Sequence, residues 1–347
     1  MIKILTIKDK AEWVTYVNQS VETDFYHTWH YHSLDNTGSP ILFVYSEQSD
    51  FIAIPLIQRK IPESNYYDLT CVYGYSGPLS NQKMDGIDST LVSNFKSAFL
   101  KFLSDGNYVS VFLRLNPFYN QQLLLKEFGG IYDNGQVVVI DLNKSIEQHR
   151  KDYRQTTWDS IRKSLKNGYN IKEEKGPEAV KIFSEIYNQN MNRVRAADSY
   201  LFDNDYYLEM LSNTEYNARI FMAYKGDVVA SSTIAVFTNE IIQLHLIGTR
   251  TEYLQDSPAK FLIDGVMQIG CELGMRYYNL GGGLGFQKDS LFYWKNAFSD
   301  LLFDYKSWRY IANPVIYQQL LDQKGIDKNT EVDFFPLYRY TLALQTS

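Results

Sequence analysis

The chain has 347 residues, enough for two domains of ordinary size, each with its own core. With 45% hydrophobic and 21% charged residues it has a globular composition, and a formal net charge of −6 argues against a broad phosphate-binding surface and against DNA as a partner. Two cysteines, Cys71 and Cys271, exclude a disulfide framework and point to a reducing cytoplasm, and no apolar run reaches the length of a signal peptide core or a membrane span.

Residues 2–7 alternate as a strand, and a helix follows to Ser20. His27, His30 and His32 lie close together, but no cysteine or interleaved carboxylate accompanies them; they read as aromatic packing, and no metal is expected. Residues 41–61 read as a hairpin that turns at Ser46–Asp50. Tyr73-Gly74-Tyr75-Ser76-Gly77-Pro78 then forms a rigid aromatic loop, two glycines giving unusual dihedrals and Pro78 fixing the exit, and it reads as a ligand surface. A helix with Phe95, Phe99 and Phe102 on one side stops at Gly106, and the strand after it carries Arg114 and Asn116 on one face. With the apolar strand 136–142 this makes an α+β unit over residues 1–146.

The second unit is expected over 147–347, with about the last 35 residues placed to return to the first. Residues 146–168 read as one basic helix that buries Trp158, Ile161 and Leu165; its cations are either a solvated face or an anion-binding face for RNA or a polyphosphate. Helices from Pro177 and through Tyr206 lead to a three-strand meander over 218–250, in which His245 is in phase with Gln243 and Ile247. His245 is a candidate general base, although a lone strand histidine is more often a core residue. Ser257 can cap a helix with Pro258 in its first turn and Gly274 past its end. The strand 275–280 runs into Gly281, Gly282, Gly283 and Gly285, and Lys295 stands among Phe292, Tyr293, Trp294 and Phe298. The tail reads as a helix over 308–325 and a final strand over 333–340.

Residues 257–298 resemble the Fem-type branch of the GNAT acyltransferase superfamily, which includes the peptidoglycan-bridge aminoacyl transferases. The likeness lies in Ser257-Pro258, Gly281 to Gly283, Asp289 to Phe292 and Lys295 to Phe298, and again in the Tyr73–Pro78 loop after a strand bearing Arg59. It implies an α+β fold of two GNAT-like domains, with mixed sheets flanked by helices. It also implies transfer of an acyl or aminoacyl group to the amine of a cell-envelope precursor, either a peptidoglycan stem peptide or a nucleotide- or lipid-linked amino sugar. A CoA-dependent N-acyltransferase of surface-polysaccharide synthesis and a non-catalytic binding module are the alternatives.

On this likeness Arg59, Tyr73, Tyr75 and Arg114 would bind the acceptor, and Arg193 and Tyr206 would shape its cleft. Asp289 would cap the next helix or orient a substrate amine. Ser257, Ala259, Lys260 and Gly281 to Gly283 would hold the donor. Lys295 would stabilise the donor carbonyl as negative charge develops. No tightly bound cofactor is implied; the donor is aminoacyl-tRNA or acyl-CoA, so tRNA is one partner, and a lipid-linked precursor would be met at the inner membrane face. The superfamily's glycine-bearing pyrophosphate loop is replaced here by Gln255-Asp256-Ser257-Pro258-Ala259-Lys260. An acidic Asp256 and a donor-less Pro258 count against acetyl-CoA at that place.

Overall fold

The computed structural model describes residues 1–197 and 200–340. They divide into two compact units, Met1–Asn134 with the described residues from Asp304 on, and Gly135–Phe303.

In the first unit, strands Ile2–Thr6, Ser39–Glu47, Asp50–Lys60 and Tyr67–Thr70 pair antiparallel in succession. Tyr108–Arg114 then lies parallel to Tyr67–Thr70, and Leu302–Ile311 closes the order antiparallel to Tyr108–Arg114. A parallel neighbour cannot be reached by a tight turn, so a crossover is needed, and helix Ser89–Asp105 supplies it. Its apolar face, Leu91, Phe95, Phe99 and Leu103, is buried in one core with Phe43, Leu113 and Trp308.

The second unit repeats the pattern. Strands Tyr169–Glu174, Asn217–Lys225, Val228–Thr238 and Ile241–Thr249 pair antiparallel in succession. Tyr277–Gly281 is parallel to Ile241–Thr249, helix Pro258–Glu272 making the crossover, and Ile131–Asp141 is antiparallel to Tyr277–Gly281. Leu262, Ile263, Val266 and Met267 of that helix are buried with Phe221 and Tyr278. Gly265 and Gly270 let the helix sit close, since a Cβ on either would overlap Ile171 or Ile242. Both units therefore carry the same order of pairings, and the expected duplication of an α+β unit with a mixed sheet is present in the topology.

Several elements differ from the expectation. The basic stretch is two helices, Ile146–Asp152 and Gln155–Lys166, because Tyr153 leaves the helical region with its backbone extended. That break carries the Tyr153 hydroxyl to the buried carboxylate of Asp264, 3.1 Å away, where Arg150 and Gln268 donate at 2.9 and 2.8 Å. Leu165, expected to be buried, is 49% exposed. In the tail, the first residues of the expected helix belong to strand Leu302–Ile311, and the helix itself is Pro314–Gln323. The final strand is instead a 3-10 turn, Leu337–Arg339, with Leu337 and Tyr338 buried against Tyr317. Among the described residues no helix is long and apolar enough to cross a membrane.

Candidate active site

In the second unit, strands Ile241–Thr249 and Tyr277–Gly281 pair at only three positions, Ile241 with Tyr277, Ile242 with Tyr278 and Gln243 with Asn279. Both strands run on, but the pairing stops, so a fork opens after Gln243 and Asn279. The two side chains at the fork are buried and joined, Asn279 Nδ2 donating to Gln243 Oε1 at 2.7 Å. A bulge lies just past the fork: Ile234 faces Leu246 and Ala235 faces Leu244, leaving His245 as the extra residue. The bulge breaks the alternation that put His245 in phase with Ile247.

The glycine turn hangs from the other prong. Gly281 N–H donates to Asn279 Oδ1 at 2.9 Å, and Gly281 takes a φ of +77°, which favours glycine. Gly282 offers its carbonyl to Lys295 Nζ at 2.7 Å. Gly283 is a close approach, because a Cβ there would lie 2.1 Å from Gln287 O and 2.2 Å from Asp289 Oδ1. Asp289 caps helix Ser290–Lys295, Oδ1 accepting from Phe292 N at 2.8 Å, and its Oδ2 accepts from Leu284 N at 3.0 Å. Both carboxylate oxygens are thus engaged in folding the turn. Lys295 is half-buried as a residue, but its ammonium is desolvated; burial lowers its pKa to about 8, against the opposing pull of Asp289. At neutral pH it remains mostly an ammonium beside the turn.

His245 is buried, and its Nε2 lies 3.4 Å from the Tyr206 hydroxyl; the Tyr206 ring stacks on Phe202 at 4.3 Å. Burial pulls the imidazole down to about 3, so it is neutral and a weak proton acceptor. Arg193, by contrast, is exposed near the end of helix Pro177–Val194 and donates to Asn190 Oδ1.

Helix Pro258–Glu272 starts in an unusual way. Ser257 adopts left-handed dihedrals, φ 54° and ψ 45°, and its side chain makes no capping bond, contrary to the expected cap. Ala259 and Lys260 stand in the first turn, where the Lys260 N–H donates to the Ser257 carbonyl at 3.0 Å. The Lys260 ammonium is half-buried, has no hydrogen-bond or ion-pair partner among the described residues, and has its pKa lowered by burial. Asp256 is held by Lys225 at 2.8 Å, Lys163 at 3.3 Å and the Tyr169 hydroxyl at 2.9 Å. These contacts hold its carboxyl down to about 2 and offset the repulsion expected toward a phosphate. The arginines of the basic stretch are similarly committed: Arg150 binds Asp264, Arg154 donates to Asn296, and Arg162 donates to Asp159.

In the first unit, the Tyr73–Pro78 loop is packed from within. Tyr75 is buried edge-on to Tyr26 and Tyr305, the Tyr73 carbonyl accepts from the Tyr31 hydroxyl, and Ser76 N–H donates to the Arg114 carbonyl at 2.6 Å. Gly74 and Gly77 take positive φ and leave room for Tyr26 and Gln121. The Arg114 guanidinium reaches Cys71 Sγ at 3.8 Å and lies over Phe112. Arg59 Nε donates at 2.8 Å to buried Asp68, which also binds Arg339 and Tyr338, so Arg59 helps hold the tail segment. His27 and His32 are buried on backbone partners, and among the described residues no group of side chains could hold a metal ion.

The structure thus gathers Gly281, Gly282, Gly283, Asp289 and Lys295 into one turn, and pairs His245 with Tyr206. Sequence reasoning missed Asn279 and gave Gln243 no role. Their signal was a carboxamide inside each of two apolar strands, one of them two residues ahead of a glycine run.

Residues 151–300 match the acetyltransferase (GNAT) domain family model, a stretch that contains the fork, the glycine turn and Lys295. FemX superimposes with a TM-score of 0.70 at 13% identity, over 92% of this chain and 99% of that one. The chain has the Fem-like GNAT fold. The C-terminal domain of a putative lysylphosphatidylglycerol synthetase from Agrobacterium fabrum gives 0.58 at 14% identity, over 91% of this chain and 96% of that one. A tandem GNAT protein from the clavulanic acid biosynthesis pathway gives 0.51 at 9% identity, covering 90% and 99%. No curated protein matches the chain by sequence. The acetyltransferase (GNAT) domain over residues 151–300 makes the chain an acyltransferase by class.

Proposed function

We propose that this chain is an N-acyltransferase that takes its acyl group from a CoA-type thioester, held in the fork of the second unit, and passes it to an amine on a cell-envelope precursor. The observation that carries this reading is the fork itself: past Gln243 and Asn279 two neighbouring strands stop pairing. Leu244 and residues 246–249 keep their partners in Val228–Thr238 on one side, so the other side presents backbone groups to a ligand. Helix Pro258–Glu272 begins beside this strand with an uncapped first turn and the Lys260 ammonium, which suits a pyrophosphate.

In the transfer, the amine nitrogen attacks the thioester carbonyl carbon. A C–N bond forms, the C–S bond breaks, and the proton shed by the nitrogen ends on the departing thiolate. The Lys295 ammonium meets the oxyanion that appears between these events, in a setting dry enough to strengthen the attraction. His245 acts here by placing the Tyr206 hydroxyl, since a neutral, buried imidazole of low basicity gains little by taking the proton. The acceptor class is supported by the company of the fold, FemX and a lysylphosphatidylglycerol synthetase domain.

The test is a titration of the purified chain with acetyl-CoA and with aminoacyl-tRNA at fixed salt, followed by acyl transfer to candidate amines. Saturable acetyl-CoA binding, with turnover lost in Lys295→Met, supports the proposal. Binding of aminoacyl-tRNA alone would replace the donor, and binding of neither would favour a non-catalytic module.

A further inference from the structure

Two carboxamides at the fork have no part in the chemistry above, yet they stand at the start of a chain of bonds that ends on Lys295. We propose that Gln243 and Asn279 are positioning residues, a buried relay that fixes the glycine turn and so places the Lys295 ammonium. The proposal rests on the reading of Lys295 as the group that faces the reacting carbonyl.

The relay runs through single atoms. Gln243 Oε1 accepts from Asn279 Nδ2 at 2.7 Å, which leaves Asn279 Oδ1 aimed along its own strand. Oδ1 accepts from Gly281 N–H at 2.9 Å, a side-chain-to-backbone bond across two residues that makes a turn where the strand would otherwise continue. The turn coincides with a break in pairing to the strand on the other side: Asn279 faces Val139 and Gly281 faces Val138, so Leu280 is the extra residue. With Gly281 at φ +77°, the next carbonyl, that of Gly282, is turned to Lys295 Nζ. A Cβ on Gly281 would come within 3.3 Å of that nitrogen.

The central side chain must donate to Gln243 and accept from Gly281 together, which a carboxamide does with its two ends. Both side chains are 2% exposed, so water does not replace either bond readily. Asp289 braces the same turn from the helix side through Leu284 and Phe292, and it is the charged group that acts on the Lys295 ammonium.

The experiment is an NMR titration of the Lys295 side chain, labelled with 13C at Cε and assigned with Lys295→Arg, alongside steady-state kinetics. In the parent chain the midpoint is expected near 8. Asn279→Ala should release the turn, admit water and carry the midpoint by ~1 unit or more toward the ordinary lysine value, with kcat down about 10-fold and donor KM little changed. Asn279→Ser, whose hydroxyl accepts the same amide more weakly, should restore part of both. Should Asn279→Ala fold poorly, Gln243→Met keeps the length and the Gly281 bond and should show a smaller shift in the same direction. Folded variants with the parent's midpoint and kcat would overturn the relay. Full activity in Lys295→Met would instead remove the catalytic reading of Lys295 and leave the NMR test of the relay standing.

Discussion

Asp88 and Ser257 stand at the same place in two topologically equivalent helices, and they do opposite things there. Asp88 caps Ser89–Asp105, Oδ1 accepting from Thr90 N at 2.9 Å and Leu91 N at 3.2 Å, and these backbone bonds hold its carboxyl below the usual range. Ser257 leaves the start of Pro258–Glu272 without a side-chain cap. One unit fills its helix N-terminus with its own anion, and the other does not. Asp88→Ala should therefore lower the Tm while leaving donor affinity unchanged, as calorimetry and a donor titration on one preparation would show.

Lys295→Met should lower kcat by about 100-fold with the fold retained, the scale of losing one oxyanion donor. With the ammonium as the proposed active form and its pKa lowered to about 8, the parent's rate should fall as pH rises through that value. A pH–rate profile checks this. In Lys295→Arg, which stays protonated, any remaining activity should lack that alkaline limb.

How much of this was legible in the sequence depends on the range of the signal. The helix at Pro258, the glycine run and Asp289 as a cap are local features, written in propensity and turn chemistry, and they stand where the pattern put them. The order of elements also gave the duplicated unit. The place of the fork was not legible in any local pattern, because where Ile241–Thr249 and Tyr277–Gly281 stop pairing is settled between strands distant in sequence. Nor was the fate of Arg59, whose partner Asp68 and neighbour Arg339 are brought together only by the folded tail. Ser257 resembled a cap by residue type, yet its left-handed backbone carries the hydroxyl away from the role.

Asp264 is fully buried and tied to Arg150, Tyr153 and Gln268. Asp264→Ala should destabilise the chain by about 3 kcal/mol, since it strands a half-buried guanidinium and two polar side chains. Urea denaturation measures the loss, and the double change Asp264→Leu with Arg150→Met should recover much of it.

Four buried histidines with lowered pKa values, His149 among them, shape the acid side of the stability curve. Burial pulls His27 and His245 down to about 3 and His32 to about 4. In the unfolded chain they take up protons near the ordinary 6.5, and in the folded chain they do not, so the unfolded state binds more protons below that value. Their contribution to stability should be flat with pH above 6.5 and fall below it, by up to ~1.4 kcal/mol per histidine per pH unit, until the folded values are reached. Denaturant midpoints at pH 7.5, 5.5 and 4.5 follow the decline, and His27→Gln with His32→Gln should flatten its slope.

The proposed site for a CoA-type donor lies in the second unit, at the start of helix Pro258–Glu272. Isothermal titration of acetyl-CoA into the parent chain and into Lys260→Ala tests it most directly. One saturable site is expected in the parent and an affinity about 10-fold weaker in the variant, the ~1.4 kcal/mol of one charge-assisted contact. Absence of saturable binding, or equal binding by the two chains, would contradict it.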